Sequence, residues 1–140
     1  MNLWYNTAGT LEGTCSTMDL DELLARWEES YKKGLLTFWA LLLLDERPMY
    51  AAEMSELIAG ASRGTVVADD NSIYRAMRRF ENMGLVSSTL QDSDAGPQRR
   101  YYELTPLGRQ LLARFIRRNV DVFQEPDVAK RIAAVSAANH

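Results

Sequence analysis

The sequence predicts a mainly α fold of the α+β class, in which helices precede a β-hairpin and a long helix follows it. Three observations carry this. Apolar residues recur at helical spacing through most of positions 18–84. Two short stretches, "LVSSTLQ" and "RRYYELT", then flank the turn-rich "DSDAGP". A Thr-Pro boundary at Thr105 and Pro106 opens a last amphipathic helix. The order helix, helix, helix, strand, strand, helix is that of a winged helix-turn-helix with additional N- and C-terminal helices.

Residues 1–16 ("MNLWYNTAGTLEGTCS") lack periodicity and are expected to form a flexible arm. Thr17, a good N-cap ahead of Asp19 and Asp21, is expected to start a helix. Leu20, Leu23, Leu24, Trp27 and Tyr31 mark one face of it. Gly34 is a place for a kink or split before "LLTFWALLLLDE", which is apolar nearly all round and therefore central. Pro48 closes that helix and starts another, "MYAAEMSELIAG", with Met54, Leu57 and Ile58 inward and Gly60 at its end. After the connection "ASRGTVVADDNS" comes the helix "SIYRAMRRFENMG", with Gly84 as its natural C′ residue. Thr105 caps the long helix, and Pro106 takes the first position, where its missing N–H costs nothing. Leu107, Leu111, Leu112, Phe115, Ile116, Val120 and Phe123 form a broad apolar stripe along it. Gly108, in its first turn, signals close approach of another backbone. Pro126 interrupts before "DVAKRIAAVSAA", a tail or one more short helix.

The composition of the 140 residues, 46% hydrophobic and 25% charged, is that of one ordinary soluble domain. No apolar run approaches the roughly 20 residues of a membrane span, and "WALLLL" is core. No export signal is read at the start, and the lone Cys15 fits a reducing cytoplasm better than a redox role. One Cys and one His, His140, leave no zinc set, no Ser-His-Asp triad and no Cys-His pair. With no glycine-rich phosphate loop either, no enzyme activity, metal or cofactor is expected.

The net charge of -3 hides an uneven distribution. Residues 1–70 carry five basic and twelve acidic side chains, whereas residues 71–118 carry nine arginines against four acids. Because charges are screened over about 8 Å at physiological salt, the local excess matters more than the total.

At about 100° per residue, Ile73, Met77 and Phe80 gather on one side of the third helix. Asn71, Arg75, Arg78, Arg79 and Asn82 gather on the other. Arg forks onto guanine O6 and N7, and Asn onto adenine N6 and N7, so this face suits a major groove. An arginine-rich outer face is often no more than solvated surface. The hairpin tips the balance, because Arg99 and Arg100 put a second basic element beside the first, where cations reach phosphates or the minor groove. Tyr102 and Leu104 share the strand face that packs inward. Tyr74, at the edge of the helix's buried face, either reaches a phosphate or packs.

"NSIYRAMRRFENMGLV" followed by "GPQRRYYELTPLGRQLL" resembles the signature of the PadR-like transcriptional regulators. The resemblance continues upstream through "LLTFWALLLLDERPMYAAEM" and covers about residues 31–118. It departs at Ala51 and Ala52, where the family usually has Gly-Tyr, and at Phe80, where it usually has Leu. It implies a winged-helix DNA-binding domain with its dimerisation helices over 17–125, followed by a tail or short helix over 126–140. It also implies a sequence-specific transcriptional regulator, a repressor, binding double-stranded operator DNA as a homodimer. Asn71, Ser72, Tyr74, Arg75, Arg78, Arg79, Gln98, Arg99 and Arg100 are then the DNA contacts. The same stretches are similar to PadR-type regulators of the cyanobacterial circadian period, which implies a link to biological rhythms.

The apolar surface exceeds what three small helices and a hairpin would cover. Leu20, Leu24, Trp27, Leu111, Leu112, Phe115, Ile116 and Phe123 are therefore expected to meet a second copy. At the rim, Glu28 and Glu29 would face Arg114, Arg117 or Arg118. Trp27 and Trp39 either line an aromatic pocket for a small-molecule effector, as in some PadR relatives, or are plain core. The alternative function is a winged-helix protein-interaction module without DNA binding, favoured by the acidic total and the missing Gly-Tyr pair.

Overall fold

The computed structural model describes residues 18–139. The expected arm with Cys15, the expected cap Thr17 and His140 lie outside the described residues. Helix α1 spans Leu20–Leu44, and Asp19 caps it, its Oδ1 accepting the Glu22 N–H at 2.8 Å. Gly34 does not split the helix, which is continuous from Leu20 to Leu44, although the chain divides there into two units, up to Lys33 and from Gly34 onward. In the first unit Leu20, Leu24, Trp27 and Tyr31 are exposed. A 2.6 Å pair between Lys32 and Glu28 joins successive turns there.

In the second unit the elements are β1 (Met49–Tyr50), α2 (Ala51–Ala61), α3 (Asp70–Asn82), β2 (Val86–Ser93), β3 (Gly96–Leu104), α4 (Pro106–Asn119), a 3-10 turn (Asp121–Gln124) and α5 (Pro126–Ala138). Pro48 does not open a helix. The two residues after it pair with β3, Met49 opposite Tyr102 and Tyr50 opposite Tyr101, so that α2 starts at Ala51. The antiparallel sheet has the order β1-β3-β2. β2 and β3 keep one register from Val86 opposite Leu104 to Gln91 opposite Arg99. The register then slips, with Ser93 facing Gly96, so Pro97 and Gln98 oppose the single residue Asp92 in a bulge near the hairpin tip.

The core is built from Ala40 and Leu44 of α1, Met54 and Ile58 of α2, Ile73 and Met77 of α3, and the sheet residues Met49, Val86 and Tyr102. Leu57, expected inward, lies at the surface. Trp39 packs against this core as a partly buried residue, with the Phe38 ring edge-on at 6.4 Å. Leu112, expected to face a second copy, is instead part of the core at 6% exposure, and Ile116 packs against it one turn further on. The stripe on α4 is wider than one helix face. Docking turns Leu112 and Ile116 inward and leaves Leu111, Phe115 and, beyond the helix, Phe123 exposed.

Three chain segments meet at one junction. Gly84 takes φ +78°, the left-handed conformation that ends α3. The Leu85 N–H then donates to the Phe80 carbonyl at 2.9 Å and the Gly84 N–H to that of Glu81 at 3.0 Å, a Schellman motif. The Thr105 hydroxyl donates to the Gly84 carbonyl at 2.6 Å and accepts the Gly108 N–H at 3.0 Å, capping α4. At Gly108 a Cβ would run into the Leu85 carbonyl oxygen, which is the close backbone approach expected from the sequence.

Candidate nucleic-acid interface

The cap residues in "ADDNS" compete to start α3, and the winner sets how many residues the helix has ahead of Ile73. Asp69 takes the position, its Oδ1 accepting the Ser72 N–H at 2.7 Å. Ile73, Ala76 and Met77 are then buried, while Asn71, Tyr74, Arg75, Arg78, Arg79 and Asn82 are exposed. A single apolar side of the helix holds it in the core, and the remainder offers guanidinium and amide groups to the outside.

The Ser72 backbone N–H, then the Ser72 hydroxyl, hold the Asp69 carboxyl below its ordinary range. The folded state thus keeps the acid ionised more strongly than the unfolded chain does. The resulting stability is present above the ordinary carboxylate pKa and lost as pH falls through the lowered folded value. Asp69→Asn keeps the acceptor but removes the titration. Between about pH 7 and about pH 3 the thermal midpoint of the unmutated chain should fall further than that of Asp69→Asn. Equal falls would show that the ionised cap does not act in this way.

Along α3 the arginines differ in their surroundings. The Arg78 guanidinium lies 5.8 Å from the centre of the Tyr74 ring, so Tyr74 sits exposed under a cation and is not part of the core. Arg75 Nη2 reaches the Ser72 hydroxyl at 3.4 Å. Together Tyr74, Arg78 and Glu81 form the flank toward the wing, and Glu81 touches it directly.

The wing separates the two adjacent arginines. Successive residues of a strand point to opposite faces. Arg100 shares a face with Tyr102 and donates to the Ser88 hydroxyl at 3.0 Å. Arg99 is on the other face, its guanidinium 4.4 Å above the ring of Tyr50, which meets Tyr101 edge-on at 5.3 Å. Gln98, in the bulge, donates to Asp92 across the hairpin at 3.0 Å. The structure therefore brings Arg100 to the α3 side of the wing and holds Arg99 against β1.

Tyr102 anchors the base of the wing at 1% exposure, and burial raises its phenol pKa. Sequence reasoning missed Glu81, Ser88 and Tyr50 as partners of the site. The β2–β3 and β1–β3 registers place Ser88 opposite Tyr102 and Tyr50 opposite Tyr101, and Glu81 joins them by accepting the Ser88 hydroxyl. Among the described residues no helix is long and apolar enough to cross a membrane.

Comparison with known proteins agrees with this geometry. The model of the "Transcriptional regulator PadR-like family" matches residues 40–114, more than half of the chain. A PadR family transcriptional regulator from Eggerthella lenta superposes with a TM-score of 0.61 at 24% identity, covering 80% of this chain and 94% of its own. A PadR-like transcriptional regulator from Bacillus cereus gives 0.58 at 24% identity, over 76% and 95%. Bacillus subtilis PadR, solved in complex with operator DNA, gives 0.54 at 17% identity, over 59% and 46%. The fold is thus the mainly helical winged helix of these proteins, and the chain belongs to the PadR-like family of transcriptional regulators.

Proposed function

We propose that the chain is a cytoplasmic, sequence-specific DNA-binding repressor that occupies a two-fold operator as a homodimer. The observation that carries this reading is the exposed row Asn71, Arg75, Arg78 and Arg79 on a helix anchored by Ile73 and Met77, with Arg100 beside it. Bacillus subtilis PadR, of the same fold, was solved on operator DNA. A recognition helix on its own reads only a few base pairs, so a second copy supplies the missing specificity. The apolar side chains exposed on the first part of α1 and on α4 supply surface for that assembly. Repression follows from occupancy, since a dimer seated on a promoter excludes polymerase. The resemblance to circadian regulators extends the proposal to genes under rhythmic control.

Footprinting on the DNA upstream of the chain's own gene tests the reading, and a protected two-fold site is the expected result. In gel-shift titrations on that site, Arg75→Ala and Arg79→Ala should each weaken binding by about 1–3 kcal/mol. The loss on mixed-sequence DNA should be smaller. Equal losses on both would mean that these arginines hold phosphates and read no bases. A log–log salt dependence that stays flat would favour the protein-interaction module, because neutralising phosphates gives a slope of about -0.9 for each.

A further inference from the structure

Arg100 does not hang free from the wing. Its Nη1 donates to Ser88 Oγ at 3.0 Å, and that hydroxyl donates in turn to Glu81 Oε2 at 2.7 Å. A serine hydroxyl has one proton and two lone pairs, so Ser88 serves both neighbours at once. The chain of bonds runs from the last turn of α3, across β2, to β3. Both bonds involve an ionised partner, the stronger class of hydrogen bond. Glu81 and Ser88 are half-buried, which limits competition from water for the bond between them, while the Arg100 guanidinium is exposed.

We infer that Ser88, oriented by Glu81, is a positioning residue that presets the Arg100 guanidinium beside the recognition helix for a backbone phosphate. A bare arginine on a hairpin samples many rotamers, and binding must then order it. Here the folded protein has already ordered it. The remaining guanidinium N–H groups stay available, and their direction is fixed relative to α3. Helix and wing consequently meet the duplex as one preset surface. The adjacent Arg99 has no such role, because it lies on the opposite face over Tyr50. This inference rests on the DNA-binding reading above.

The test is a double-mutant cycle on DNA affinity. The probe is a mixed-sequence duplex of about 30 base pairs, long enough for two half-sites one turn apart. Fluorescence anisotropy at low salt would follow the unmutated chain, Ser88→Ala, Ser88→Thr, Arg100→Ala and the Ser88→Ala/Arg100→Ala double variant. Ser88→Ala should weaken binding about fivefold, the size of the cost of ordering one long side chain on binding. Ser88→Thr keeps the hydroxyl and should bind as the unmutated chain does. In the Arg100→Ala background, Ser88→Ala should change nothing further. A merely structural serine would cost the same in both backgrounds, and that result overturns the inference, as does an undiminished Ser88→Ala. Failure of the unmutated chain to bind the duplex at all is seen in the first titration and overturns the DNA-binding reading itself.

Discussion

Gly108→Ala is expected to destabilise the fold by about 2 kcal/mol, the opposite sign from what helix propensity alone dictates. Alanine in place of glycine within a helix gains up to about 1 kcal/mol. At this position the added Cβ meets the Leu85 carbonyl oxygen, and that carbonyl is backbone, already accepting the Thr105 N–H at 3.1 Å. It has no rotamer to change. Overpacking of this kind costs typically about 1–3 kcal/mol, occasionally more, and so outweighs the propensity gain. The strain falls where α3 ends, β2 begins and α4 starts, so the relation between α3 and the wing should suffer with it. Urea unfolding checks the sign through a lowered midpoint at unchanged slope. Gly34→Ala is the control, because nothing lies within 4 Å of a Cβ there, and the same propensity should raise stability. A Gly108→Ala midpoint at or above that of the unmutated chain would show that the junction yields easily.

Phe115→Glu is expected to abolish tight operator binding without touching any residue of the proposed DNA-reading surface. Phe115 is 46% exposed on α4, its ring 5.7 Å from that of Phe38 on α1. Leu112 and Ile116 face the core from the neighbouring positions, and both remain. Glutamate is a good helix former, so α4 should persist, which far-ultraviolet circular dichroism verifies. What changes is the proposed seat of the second copy, into which a charge would have to be buried. Sedimentation should then report a species near 15.9 kDa where the unmutated chain gives twice that. Losing bivalency lowers operator affinity by about 10²–10⁴-fold. An unmutated chain that sediments near 15.9 kDa at micromolar concentration would remove the dimer from the proposal.

The parts of the fold legible in the sequence are those written in local backbone chemistry. Gly84 at the end of α3, and Thr105 with Pro106 at the start of α4, specify their own conformations and stand as expected. The two faces of α3 were legible for the same reason, since Ile73 and Met77 buried against Arg75 and Arg79 exposed is a matter of periodicity. Its first residue was not, because Asp69, Asp70, Asn71 and Ser72 are all competent caps and packing selects among them. β1 was invisible, as two residues are too few to alternate. Leu111 and Leu112 look alike in a wide stripe until α4 docks. Arg99 and Arg100 were bound to face opposite ways, but which one turns toward α3 is decided by pairing with β1 and β2, a non-local fact.

The bulge near the hairpin tip makes the wing adjustable in length. From Val86 to Gln91 every residue of β2 has its fixed partner on β3, and the slip comes only beyond Gln91 and Arg99. Residues added or removed between Asp92 and Gln98 are therefore absorbed beyond the regular part of the ladder, and such a change lengthens or shortens the wing. Which arginine looks toward the helix stays the same. One residue inserted between Arg100 and Leu104 has the contrary effect: a single step of register exchanges the two faces, sending Arg100 toward Tyr50 and Arg99 toward Ser88. Variation in this hairpin is thus free at the tip and forbidden at the base.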